Sequence, residues 1–155
     1  MAKLKYTDGW KYRTEETIEV QIDFHPQQNI VTSYGSFDIT GKVIIFKGYS
    51  FDGPSGPCKW LSELPLGVGW LYRRFALMQI FLGALVHDFL YQLIREEYLN
   101  GRMWRQLADH IFRVIIRRNG TSGIRAWWIY TGVRIGGGPS ADKRGTKPIL
   151  TAPAQ

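Results

Sequence analysis

The sequence predicts an α+β domain, with a small antiparallel sheet first and a core of two or three helices after it. Three observations point there. Residues 17–24 alternate polar and apolar side chains with period two and short extended segments follow to residue 47, from about residue 70 the apolar spacing turns helical, and residues 48–69 between them are rich in Gly, Pro and Ser. Strands gathered in one run and helices in the next are the pattern of a segregated fold.

Residues 1–16 read as an irregular lead-in. Thr17 to Phe24 alternates strictly, as a half-buried strand does, and His25-Pro26-Gln27-Gln28-Asn29 is a turn. Extended segments follow at Ile30–Tyr34 and Phe37–Ile39, then a Thr40-Gly41 turn and a further strand, Lys42–Lys47. These pieces make three or four strands. Trp70 to Leu99 reads as one long helix with Gly83 as its candidate break, stopped by Asn100-Gly101 as a left-handed cap. Arg102–Arg118, closed by Asn119-Gly120, is the second helix, antiparallel to the first. Ser122 to Ile135 is the third, opened by a Ser cap. Residues 1–138 are expected to form one domain and 139–155 a flexible tail.

Composition narrows the class. A chain of 155 residues with 45% hydrophobic and 21% charged residues is globular rather than disordered. The single Cys58 excludes an internal disulfide framework. Phe75–Val86, the most apolar run, falls short of the ~20 residues that a bilayer span needs, so no transmembrane span is expected. Met1–Arg13 lacks the apolar region of a secretory signal. A net charge of +7 favours anionic partners, among them an anionic phospholipid surface. The basic residues are dispersed and no nucleic-acid module accompanies them, which makes nucleic acid the weaker expectation. Trp70, Trp104, Trp127 and Trp128 should mostly be core, with one or two free to sit at a lipid interface.

The chemistry concentrates in His87-Asp88-Phe89-Leu90-Tyr91. An imidazole, a carboxylate and a phenol stand where a plain core helix would carry Leu or Ala, and burying such groups is costly unless each finds a partner. His87 and Tyr91, at i and i+4, share a face, while Asp88 points about 100° away. The two neighbours therefore suit different tasks. Asp109 on the next helix suits an orienting acid that fixes the His87 tautomer, with Tyr91 holding Asp109. With the first helix carried to Leu99, His87 and Asp109 stand at different heights, and their contact requires a loop offset or side-chain reach. Arg105 and Arg113, each four residues from Asp109, offer it a plain salt bridge instead. Asp52-Gly53-Pro54-Ser55-Gly56-Pro57 is a turn able to expose carbonyls to a hard cation such as calcium, with Asp52, Gly53, Ser55, Gly56 and Asp88 as ligands.

The order of a Tyr, a Gly-Pro-x-Gly loop, His-Asp-x-x-Tyr on a helix and Ala-Asp-x-x-Phe on the next resembles phospholipases of the A2 type, most closely the disulfide-free form of parvovirus capsid proteins. The matching positions are Gly53, Pro54, Gly56, His87, Asp88, Tyr91 and Ala108-Asp109-His110-Ile111-Phe112, and the likeness covers roughly residues 49–135. It implies a calcium-binding loop, His87 as base, Asp88 as metal ligand and Asp109 as orienting acid. The match departs at Ser55, an added residue, and at Asp52, whose carboxylate leaves open a different divalent ion held by Asp52, His87, Asp88 and Asp109. The chain is also similar to a family of small bacteriophage proteins of unassigned function. It shares with them the Gly48–Pro57 loop, His87–Tyr91, Ala108–Phe112 and Tyr130-Thr131-Gly132-Val133-Arg134-Ile135-Gly136. That likeness implies a phage protein of the host cytoplasm or the virion.

Three functions stay open at this point. One is a metal-assisted, phospholipase-like ester hydrolase. Another is a non-catalytic virion or assembly protein that keeps the motif to pin its loop. The third is a cell-wall hydrolase using the same groups.

Overall fold

The computed structural model describes residues 4–6, 12–53, 69–137 and 150–152. The strands β1 (Leu4–Tyr6), β2 (Tyr12–Arg13), β3 (Ile18–Gln21), β4 (Ile30–Thr32), β5 (Gly35–Phe37), β6 (Lys42–Ile45) and β7 (Ser50–Phe51) come first. The helices α1 (Gly69–Arg95), α2 (Gly101–Arg118) and α3 (Gly123–Gly136) follow, and β8 (Leu150–Ala152) comes last. The fold is α+β, as its sequence pattern predicts.

One antiparallel sheet takes the order β3-β6-β5-β4. Its tight corner is built by Asp38, whose carboxylate accepts from the Thr40 amide, the Thr40 hydroxyl and the Lys42 amide at 2.6–3.1 Å, with Gly41 at φ 84°. Period two sends Ile30, Phe37, Val43 and Ile45 to one face, where they are buried with Phe89, Leu90 and Leu93 of α1 and Trp104 of α2. Each such side chain stabilises by about 1.5–3 kcal/mol. Gly35 is required by this packing: a Cβ there would lie 2.7 Å from the Phe89 ring and 2.5 Å from the Ile44 carbonyl oxygen.

Two small ladders were not foreseen. β2 pairs with β7, and β1 with β8. The lead-in and the tail expected to be without structure thus contribute strands, each too short to display a period. Thr14 strengthens the β2 junction, since its hydroxyl donates to the Phe46 carbonyl at 2.9 Å and accepts from the Tyr49 amide at 3.0 Å.

α1 runs unbroken through Gly83. The glycine is there for contact between helices: a Cβ would fall 2.7 Å from Ile116 Cγ2 and 2.9 Å from Phe112 Cδ2 of α2. α1 also stops earlier than its apolar pattern suggests, at Arg95. Glu97, not Asn100, takes the left-handed conformation (φ 64°), and the amides of Tyr98 and Leu99 close on the Leu93 carbonyl. Asn100 instead caps the start of α2, accepting from the Arg102 amide at 3.0 Å. Ser122 caps α3 in the same way through the Arg125 amide. Among the described residues no helix is long and apolar enough to cross a membrane.

Candidate active site

The early end of α1 brings the catalytic candidates level. His87 lies eight residues before Arg95 and Asp109 eight after Gly101, so the antiparallel helices carry them at matching heights. His87 Nε2 lies 2.8 Å from Asp109 Oδ1, and the Tyr91 hydroxyl donates to the same oxygen at 2.7 Å. Arg134, near the end of α3, donates from Nη1 to Asp109 Oδ2 at 2.8 Å. One carboxylate therefore ties all three helices. It is wholly inaccessible, whereas the His87 side chain keeps 11% of its surface open.

Burial alone would raise the Asp109 carboxyl, but the donors on it prevail and hold it below the usual carboxylate range. An ionised carboxylate only accepts, so the proton on the His87–Asp109 contact belongs to Nε2. Nδ1 then carries the free lone pair of the neutral ring. Burial would likewise lower the imidazole, yet the hydrogen bond to Asp109 and the nearby Asp88 outweigh it and raise the His87 pKa. Burial and the bond to Asp109 push the Tyr91 phenol up, so it stays a donor. Tyr91 also packs its ring on the imidazole, 4.0 Å between centroids. Gly137 permits the end of α3 to close over Tyr91, because a Cβ there would lie 2.7 Å from the hydroxyl.

Asp88 takes the other side. Its Oδ1 is 3.8 Å from His87 Nδ1, beyond hydrogen-bond range. Its Oδ2 is buried with no hydrogen-bond partner among the described residues, and the same holds for the Tyr49 hydroxyl. Burial pushes the Tyr49 phenol up and the charge of Asp88 adds to it; Tyr49 immediately precedes β7, which leads to Asp52 and Gly53. A buried polar group left unpaired costs about 1–3 kcal/mol, more when charged. Asp88 thus presents, beside the free lone pair of His87 Nδ1, a carboxylate oxygen with unmet demand for a cation or a donor among the described residues.

Of the proposed metal ligands, Asp52 follows β7 and is partly exposed, while Gly53 is buried at φ 70° with its missing Cβ directed at the Tyr12 ring, 2.6 Å away. Pro54, Ser55 and Gly56 lie outside the described residues. The alternative set of Asp52, His87, Asp88 and Asp109 is not gathered: both oxygens of Asp109 are engaged by side-chain donors, and among the described residues no group of three or more His, Cys, Asp or Glu could hold a metal ion. The local salt bridge from Arg105 or Arg113 to Asp109 is not formed either; Arg105 Nη2 donates instead to the Arg134 carbonyl at 3.1 Å. His25 and His110 are exposed, His110 edge-on to Phe24.

Sequence reasoning missed Arg134 and Tyr49. Arg134 stood inside the Tyr130–Gly136 segment, but no spacing rule links it to a carboxylate 25 residues earlier. Tyr49 stood at the mouth of the turn with nothing to mark its hydroxyl as buried.

No curated protein and no solved structure matches the chain. A family model does match, over residues 33–133, a span that includes residues 52–56, His87, Asp88, Tyr91 and Asp109. The chain that joins these three helices through one carboxylate belongs to the family described as "Protein of unknown function (DUF1353)".

Proposed function

We propose that this chain is a phage-encoded, metal-assisted ester hydrolase with phospholipase-A2-like chemistry. One observation carries the reading: Asp109 engages His87 through Nε2, which leaves Nδ1 free on the side where Asp88 lies. The bond to Asp109 suffices to fix the ring, and Asp88, outside bonding range of it and with an oxygen that has no hydrogen-bond partner among the described residues, is left for a second task.

In this reading neutral His87 accepts a proton at Nδ1 from a water molecule as the water oxygen adds to the ester carbonyl carbon. Asp109, fixed by Tyr91 and Arg134, stabilises the imidazolium without taking its proton. The proton then passes from Nδ1 to the leaving alkoxide oxygen, releasing an alcohol and a carboxylic acid. Asp88 fits a divalent cation because its buried Oδ2 has no hydrogen-bond partner among the described residues, and backbone oxygens of residues 52–56 would complete a calcium site. Such an ion, when bound, supplies Lewis-acid polarisation of the carbonyl.

The test is fatty-acid release from phosphatidylglycerol vesicles with calcium. His87→Ala should lower turnover by about 10²–10⁴-fold, and Asp88→Asn or a chelator should abolish the calcium response. Wild-type turnover no greater than that of His87→Ala rejects the reading. A second reading has its own observation: Asp109 clamps α1, α2 and α3 together, as a non-catalytic virion protein could require. It predicts that His87→Ala lowers the melting temperature while calcium changes nothing.

A further inference from the structure

The third helix has two apolar faces. Ala126 and Ile129 bury one against α1 and α2. At 100° per residue, Ile124, Trp127, Trp128 and Ile135 fall within about 100° of one another on the opposite side. These four are 78%, 49%, 64% and 81% exposed. Thr131 lies within the same stripe, and its hydroxyl donates to the Trp127 carbonyl at 3.0 Å, so its polar group is spent on the helix itself.

Charge indicates what covers this face. Residues 101–137 contain seven arginines and no lysine, against one acid, Asp109, and no glutamate. That acid is wholly buried and paired with Arg134, so the two-helix surface offers no exposed carboxylate. Arg118 reaches an exposed acid elsewhere, Asp23 at 2.7 Å. Arg125 and Arg134 flank the apolar stripe on either side by helical position. Indole rings set among cations on an acid-free surface suit the headgroup level of an anionic bilayer, where Trp finds both an apolar and a wet side and each nearby Arg is attracted to the lipid charge.

We infer that the outer face of α3 is a docking surface for anionic phospholipid membrane, with Ile124, Trp127, Trp128 and Ile135 entering the headgroup boundary. The choice of lipid as occupant rests on the hydrolase reading, and the docking deepens it. α3 also carries Arg134, so the element that meets the membrane is the one that secures Asp109. Packing alone gives no reason for four large apolar groups in water on a helix already anchored by its other face.

The experiment is cosedimentation of the full chain with vesicles of phosphatidylcholine alone or mixed equally with phosphatidylglycerol, in EDTA so that no turnover intervenes. Wild type should pellet with the mixed vesicles, less so in high salt, and poorly with phosphatidylcholine. The pair Trp127→Ser and Trp128→Ser should weaken partitioning by about tenfold or more. Ile135→Asp, at the most exposed position, should do the same with an unchanged circular-dichroism spectrum. His87→Ala should bind as wild type does, which separates docking from catalysis. Binding without turnover in calcium leaves docking standing and removes the hydrolase; turnover on a dispersed short-chain ester without vesicle binding does the reverse. Equal binding by wild type and the tryptophan variant overturns the inference. So does a smaller sedimentation coefficient of that variant in the absence of lipid, because the face would then meet a second copy of the chain.

Discussion

At the scale of single residues, Asp109 decides what His87 can do. A carboxylate with three donors resists protonation, and that persistence keeps the ring oriented. The folded His87 pKa lies above 6.5, so its coupling to Asp109 and Asp88 contributes fully below that value and is lost as pH rises through the higher folded value. Asp109 runs the other way: its folded pKa lies below 3.8, and its contribution fades as pH falls through that lower value. Asp109→Asn should therefore lower the His87 pKa in an NMR titration without metal and flatten the fall in melting temperature above neutral pH. Hydrolysis should rise with pH as Nδ1 loses its proton, since only the neutral ring accepts one. Removing one donor should be felt as well: Tyr91→Phe should cost about 1.5–3 kcal/mol in chemical denaturation, the worth of a hydrogen bond to a charged group.

At the scale of elements, the site exists because two helices stop and start where they do. The apolar period carries α1 on to Leu99, but the chain leaves the helix after Arg95 through a left-handed Glu97, and this brings His87 level with Asp109. A non-glycine residue at positive φ is hard to read from sequence, because tertiary packing and not local preference places it there. Gly83 was legible as a special position and misread as to cause: it admits Phe112 and Ile116 rather than breaking α1. Gly83→Ala should force the helices apart and destabilise by about 1–3 kcal/mol, seen as a lower denaturation midpoint with an unchanged slope. The His-Asp-x-x-Tyr face and the acid on the neighbouring helix could be read directly, since helical periodicity fixes which side chains share a face. Arg134 could not, because it arrives from a third helix whose orientation follows from Ile129 and Ala126 finding the pocket around Ile116.

At the scale of the whole molecule, a basic chain keeps its acids for particular tasks. Thirteen Asp and Glu stand against twenty Lys and Arg, and two of the acids, Asp88 and Asp109, lie where an imidazole, a phenol and a guanidinium meet. If Asp88 holds calcium with oxygens of residues 52–56, the ion joins the segment after β7 to α1. Calcium at about a hundred times its dissociation constant should then stabilise the protein by about 2.7 kcal/mol, and Asp88→Asn should abolish the rise in melting temperature. The α+β order was plain from the change of period near residue 70, whereas the β1–β8 and β2–β7 ladders join segments far apart in sequence and too short for any pattern. The central claim is that Asp109 holds the ring of His87 by Nε2 and leaves Nδ1 to take a proton. With three histidines in the chain, two of them exposed, ¹⁵N–¹H correlation spectra of the imidazoles above neutral pH test it most directly. The account predicts His87 as a single neutral tautomer protonated on Nε2; a ring protonated on Nδ1, or one exchanging freely between the two forms, would contradict it.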